Sequence, residues 1–220
     1  MIEALLFDFD GLILDTETPA YQSWQSIFQS YGLELPLNQW AQCIGTRGSS
    51  FHPLSYLKAK LFSPDLLNQI YETYQKKYQR QLQKEEIRPG ILNYFHEAKK
   101  LGLRLAVVSS SNQDWVLSHL SRFQLADYFD SIRCFEDVNQ VKPHPELYWL
   151  TLETLGIEAH QAIAFEDSPN GIAAAKAASI YCIAIPNDIT RQLSLDQADL
   201  QLDSLPKMPL RELLYEIQKC

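Results

Sequence analysis

The chain has 220 residues, a formal net charge of -8 and a pI near 5.1. That length holds one large domain or two small ones, and 46% apolar with 21% charged residues is an ordinary globular composition rather than a disordered one. The acidic balance excludes a dedicated nucleic-acid or anionic-membrane binder, which would need clustered cations.

The first apolar run, Ala4 to Phe9, reads as a buried strand bounded by Gly11. It has no basic flank and reaches carboxylates within a few residues, so it does not read as a signal peptide. Between Thr16 and Arg88 the pattern is helical. Thr18-Pro19 reads as an N-cap followed by proline in the first helical position. Tyr21, Trp24, Phe28 and Tyr31 then mark one helix face, and Gly32 stops it. A short helix is expected over Leu37 to Cys43, then a loop, Gly45 to Ser50. Ser63-Pro64-Asp65 opens a long helix with Leu66, Leu67, Ile70, Tyr71 and Tyr74 on one side and an acidic start. The densest basic stretch, Lys76 to Lys84, falls at the end of that helix and reads as a solvated face.

After Pro89-Gly90, helices and strands alternate. Ile91, Leu92, Phe95 and Ala98 form a helix face ending at Gly102, and Leu103 to Val108 is the next strand. Trp115, Val116, Leu120 and Phe123 mark a further helix, followed by a weaker strand signal at Ile132 to Phe135. Pro145 opens a helix that ends at Gly156, before the run Ala162 to Phe165. Pro169 opens another over Ile172 to Ala178, before Tyr181 to Ile185. A last helix follows Pro209. This alternation predicts an α/β fold: a parallel sheet covered on both faces, with an all-helical insert after the first strand. The expected boundaries are 1–15 and 89–220 for the α/β core and 16–88 for the insert. No apolar run reaches the roughly 18 residues of a membrane helix. The four scattered cysteines, with no C-x-x-C, suit a reducing cytoplasm.

The chemistry concentrates at strand ends, where open parallel sheets bind ligands. Asp8 and Asp10 follow the first strand, and strand alternation would turn both to one side. Two close carboxylates need a cation or a shared proton, and Mg²⁺ prefers such oxygen ligands. Glu166-Asp167 follows the Ala162 run and could supply further ligands. Ser109-Ser110-Ser111-Asn112 follows the Leu103 run, where hydroxyls and N–H groups before a helix suit a phosphate. Lys142, in the stiff segment Val-Lys-Pro-His-Pro, could neutralise a phosphate or an aspartate. No G-x-G-x-x-G, Walker lysine loop, H-E-x-x-H or G-x-S-x-G is present.

In this order, FDFDGLILDTE (Phe7–Glu17), VVSSSN (Val107–Asn112), VKPHPELY (Val141–Tyr148) and FEDSPNGIAAAKAA (Phe165–Ala178) resemble the haloacid dehalogenase superfamily over nearly the whole chain. The helical insert resembles the type 1 cap of its β-phosphoglucomutase and sugar-phosphate phosphatase subgroup. The resemblance implies a three-layer Rossmann-like core and a Mg²⁺-dependent phosphatase acting on a small phosphorylated metabolite. It makes Asp8 the nucleophile and Asp10 the general acid and base. The metal would be held by Asp8, the Asp10 carbonyl, Asp167 and, directly or through water, Glu166. Ser109, the Ser110 amide and Lys142 would hold the phosphoryl oxygens. Arg47 in the cap loop would reach the leaving group, with Thr16, Glu17 and Asn112 lining the entrance. Asp10 argues against a dehalogenase. Ala20 stands where the mutases carry a histidine, which leaves a phosphosugar mutase as the second reading and a non-catalytic phosphometabolite-binding module as a third. A monomer is expected, with a homodimer also compatible.

Overall fold

A computed structural model describes residues 1–45, 51–61 and 64–217. Arg47 and its loop neighbours lie outside the described residues, as do Ser63 and Cys220; the side chain of Asp65, the expected acidic helix start, is not described either. Six parallel strands form one sheet: β1 (Ala4–Phe7), β2 (Arg104–Val108), β3 (Ser131–Arg133), β4 (Ala162–Glu166), β5 (Tyr181–Ala184) and β6 (Leu200–Gln201), in the order β3-β2-β1-β4-β5-β6. The chain winds outward from β1 to β3, then returns to the other side of β1. The topological switch point therefore lies between β1 and β4, whose ends carry Asp8 and Glu166-Asp167.

Side-chain alternation sorts the sheet into two unequal faces. Leu5, Phe7, Leu105, Val107, Ile163 and Phe165 point to one side, where α5 (Ile91–Lys100), α6 (Gln113–Arg122) and α9 (Leu210–Ile217) cover them. Phe7 stacks on Phe165 at 4.6 Å and meets Phe95 edge-on at 5.1 Å. The opposite face is built from Leu6 and the small residues Ala4, Ala106, Ala162, Ala164 and Ala184, which let α7 (Glu146–Leu155) and α8 (Pro169–Ala177) come close.

Among the described residues, four α-helices lie between β1 and α5: α1 (Glu17–Ser30), α2 (Leu37–Trp40), α3 (Pro53–Leu61) and α4 (Pro64–Leu82). They have their own core, with Trp24, Ile27, Phe28, Leu35, Leu57 and Ile70 buried together. Lys76, Lys77 and Arg80 of α4 are exposed. The two connections to the sheet run side by side: Leu14 pairs with Ile87 in an antiparallel bridge, and the Arg88 N–H donates to the Ile13 carbonyl at 3.0 Å.

Two expectations need correction. The first helix starts at Glu17, not after Thr18, because Asp15 satisfies the first turn from outside: its carboxylate accepts from the Thr18 N–H at 3.0 Å and hydroxyl at 2.8 Å. Pro145 is the N-cap of α7 rather than a first-turn residue. The short helix read over Leu37 to Cys43 is α2 continued by a 3-10 turn.

Candidate active site

Strand β1 ends at Phe7, two residues earlier than the apolar run, and the chain then turns: the Ile13 and Leu14 N–H groups both donate to the Phe9 carbonyl. Alternation therefore does not carry through to Asp10, and the two aspartates have different surroundings. Asp8, buried, accepts a hydrogen bond from Lys142 Nζ through Oδ1 at 2.5 Å. The Asp10 carboxylate accepts from Thr16 Oγ1 (2.9 Å) and Trp115 Nε1 (2.9 Å) at Oδ1, and from Ser111 Oγ (2.6 Å) at Oδ2.

Lys142 is fully buried beneath the strand ends, and the peptide bond to Pro143 is cis. Its ammonium has three donors, directed to Asp8, the Val108 carbonyl (2.7 Å) and Glu166 Oε1 (2.7 Å). Glu166 Oε1 also accepts from the Tyr148 hydroxyl of α7 at 2.5 Å. Asp167 Oδ2 accepts from Asn187 Nδ2 at 2.8 Å. Asn187 is itself fixed: its Oδ1 accepts from the Ile189 and Thr190 N–H groups, both at 2.9 Å. Arg88 ties the turn after β1 to the segment after β5 by donating to the carbonyls of Gly11 (2.5 Å), Ile185 (3.1 Å) and Pro186 (2.7 Å).

Asp8, Glu166 and Asp167 bring one carboxylate oxygen each within 4.8 Å of one another, and all three are buried. At that separation each ionised pair repels by about 3 kcal/mol, taking an effective dielectric near 20. One lysine faces three carboxylates, so the cluster, when ionised, keeps an excess of negative charge that burial makes costly. Burial accordingly pushes the Asp8 carboxyl up to about 8 in the metal-free protein; Lys142 pulls it back, while Glu166 and Asp10 push further. Asp167 is raised well above the carboxylate range, by burial first and then by Asp8 and Glu166. Burial acts to lower Lys142, but Asp8 and Glu166 more than offset it and hold the ammonium charged. Two oxygens of the cluster, Glu166 Oε2 and Asp167 Oδ1, are buried with no hydrogen-bond partner. Hard oxygen donors, excess negative charge and two orphaned acceptors fit a divalent cation.

Two glycines make room for this cluster. A Cβ on Gly11, whose φ is +83°, would fall 2.2 Å from Asp167 Oδ2; one on Gly171 would fall 1.8 Å from Glu166 Oε2.

Above the cluster lies a cleft of about 350 Å³, walled by Asp8, Asp10, Ser109 and Ser110 from the sheet side and Thr16, Glu17, Ala20, Gly45 and Tyr78 from the helical side. Ser110 Oγ donates to the Gly45 carbonyl (3.1 Å) and Asn170 Nδ2 to the Ile44 carbonyl (2.7 Å), closing the helical layer onto the sheet. The Ser109 hydroxyl accepts from the Ser111 N–H at 3.0 Å. Glu17 is pushed up to about 8 by burial, then by Asp10, Asp15 and Asp8, so its carboxyl is largely neutral at pH 7. Asn112 has a different place: its Oδ1 accepts from the Trp115 N–H and caps α6. It does not line the cleft.

Ser111, Trp115, Tyr148, Arg88 and Asn187 were not singled out as site residues in the sequence. Ser111 lies inside the serine run. Asn187 stands just past the end of β5, where the strand-end rule applied to the other runs would have found it. Trp115 and Tyr148 carry no local signal beyond a helix face.

The haloacid dehalogenase-like hydrolase family matches residues 5–185 of the chain. This chain belongs to that family. Among curated relatives of this hydrolase, YhcW of Bacillus subtilis (strain 168) is 41% identical over 214 residues, 97% of each chain. The phosphorylated carbohydrates phosphatase of Thermotoga maritima is 30% identical over 181 residues, covering 81% of this chain and 82% of the relative. Among solved structures, a CbbY mutant from Rhodobacter sphaeroides in complex with xylulose-(1,5)bisphosphate superposes with a TM-score of 0.71 at 28% identity, over 97% of this chain and 99% of that one. Among the described residues, no helix is long and apolar enough to cross a membrane.

Proposed function

We propose that this hydrolase is a cytoplasmic Mg²⁺-dependent phosphatase that hydrolyses a small phosphorylated metabolite of the sugar or polyol type. The observation that carries the reading is the Asp8–Lys142–Glu166–Asp167 cluster at the floor of the cleft, with its two unpartnered oxygens. The similarity to a phosphorylated carbohydrates phosphatase and to a CbbY that holds a sugar bisphosphate supports the substrate class.

Asp8, Asp167, Glu166 and the Asp10 carbonyl would hold the ion. When bound, it supplies positive charge to the carboxylates and to the phosphoryl oxygens. An Asp8 oxygen attacks phosphorus; the new O–P bond forms as the ester O–P bond breaks. Asp10 donates a proton to the departing alkoxide. Asp10 then takes a proton from water as that water attacks the same phosphorus, releasing Asp8 and inorganic phosphate. Ser109 and the Ser110 amide hold the phosphoryl oxygens, and the Lys142 ammonium beside Asp8 adds positive charge there, so the anionic nucleophile approaches a partly neutralised group. The segment 16–88 serves as the cap over residues 1–15 and 89–220; Thr16 and Glu17 line the cleft, and Arg47, outside the described residues, is the cap's candidate for the leaving group. Ala20, buried at the cleft wall, offers no proton-carrying group, which favours hydrolysis over the mutase reading.

The test is phosphate release from a panel of sugar and polyol phosphates with Mg²⁺, with Asp8→Asn as the inactive control. Isomerisation of β-glucose 1-phosphate with no free phosphate would overturn the reading.

A further inference from the structure

Trp115 is the first aromatic residue of α6, and its helix face alone would make it a packing residue. The structure gives it a second contact. Its indole Nε1 donates to Asp10 Oδ1 at 2.9 Å, and the ring is only partly buried at the cleft wall. The ring is also gripped from both sides. It meets His119 edge-on at 4.4 Å, and it stacks on Tyr78 of α4 at 6.2 Å with an interplanar angle of 19°. Tyr78 continues the stack into the helical layer through Tyr74, at 5.6 Å, and Tyr74 through Trp24, at 4.3 Å. Its own backbone N–H is fixed by the Asn112 cap.

The donors around Asp10 are not equivalent. The hydroxyls of Ser111 and Thr16 can each donate or accept, whereas an indole N–H only donates. Trp115 can therefore only donate to Oδ1, the oxygen that Thr16 also donates to. Oδ2 accepts from the Ser111 hydroxyl, a partner that can rotate to donate or to accept.

We propose that Trp115 is a positioning residue for Asp10: its indole N–H fixes Oδ1, so that Oδ2 exchanges protons with the leaving group and with water. The inference rests on the reading of Asp10 as general acid and base. Through Tyr78, the same ring ties the orientation of that carboxylate to the seating of the helical layer on the sheet.

Leaving-group dependence separates this role from packing. β-Glycerophosphate departs as an alkoxide that must be protonated; dinitrophenyl phosphate departs as a stable phenolate that needs no proton. Trp115→Phe keeps a ring against Tyr78 and His119 and removes the N–H. Replacement of Trp115 by benzothienylalanine keeps the fused ring system and substitutes sulfur for that N–H, so it preserves the packing even where Phe does not. Both changes are expected to lower kcat for β-glycerophosphate about 10- to 100-fold, part of the full contribution of a general acid. Both should leave the first-turnover release of dinitrophenolate, read by stopped flow before the shared aspartyl-phosphate is hydrolysed, within about twofold. Asp10→Asn, run alongside, must show the same split more strongly. If Asp10→Asn hydrolyses β-glycerophosphate normally, the reading of Asp10 fails. If Asp10→Asn shows the split and the benzothienylalanine protein does not, the role of Trp115 is overturned. Equal losses in the first-turnover rates of both substrates, or a change confined to KM, overturn it as well.

Discussion

Gly171 occupies the third position of α8, where general helix physics favours alanine. Gly171→Ala in an ordinary helix stabilises by about 1 kcal/mol. Here the new Cβ would lie 1.8 Å from Glu166 Oε2 and 2.2 Å from its carboxyl carbon. Reaching an ordinary contact of 3.4 Å requires the carboxylate to move by ~1.6 Å. That shift breaks the 2.5 Å bond from Tyr148 and strains the 2.7 Å ion pair with Lys142. Hydrogen bonds to charged groups contribute about 1.5–3 kcal/mol each, and overpacking a tight core costs about 1–3 kcal/mol. Set against the helix gain, the expected net loss is about 2–4 kcal/mol, which lowers Tm by roughly 4–16 °C in a chain of this size. Thermal unfolding followed by circular dichroism, with EDTA present, reads this directly. A Tm that is unchanged or raised would show that Glu166 is not confined as described.

Other perturbations test other parts of the site. Lys142→Ala leaves Asp8 and Glu166 buried without their cation; a loss of about 3–5 kcal/mol is expected from urea unfolding at pH 8, and a loss below 1 kcal/mol would contradict the buried pairing. Mg²⁺ at 100 times its Kd should stabilise by about 2.7 kcal/mol and raise Tm by roughly 5–11 °C, with Asp167→Asn removing most of the rise; equal rises in both proteins would refute the assignment of Asp167 to the metal. Glu17 is held up to about 8 when folded against an ordinary 4.5, so the folded state keeps a proton that the unfolded state has lost. The metal-free protein should lose stability as pH rises from about 5 towards 8, with Glu17 contributing up to ~1.4 kcal/mol per pH unit. Tm measured at pH 6 and pH 8 should fall less for Glu17→Gln than for the parent; equal falls would place Glu17 in ordinary solvation.

The parts of the molecule visible in the sequence are those with local causes. The β1, β2, β4 and β5 runs are apolar, but for Arg104 at the start of β2, because both sheet faces are covered, and their ends are marked by the polar residues that form the site. Lys142 stood out because prolines fix the chain around it. Strand β6 had no such mark: two residues, one of them exposed, make no apolar run. Helix α3 was hidden too, although Leu54, Leu57 and Leu61 follow the helical spacing. Asp10 could not be placed by alternation, because the strand had already ended. Trp115, Tyr148 and Asn187 owe their roles to distant segments that approach them, 105 residues away for Trp115 and Asp10. Arg47 belongs to a segment outside the described residues, so its reach towards the leaving group is decided by activity measurements on Arg47→Ala.

Covalent phosphorylation of Asp8 tests the central claim most directly. The protein is mixed with Mg²⁺ and a phosphorylated substrate that it hydrolyses, quenched in acid within the first turnover, digested and mapped by mass spectrometry. The account predicts a phosphoryl group on Asp8 that is absent from Asp8→Asn and lost when the quench is delayed past substrate exhaustion. Phosphate release with no adduct on Asp8, or with Asp8→Asn retaining turnover, would contradict it.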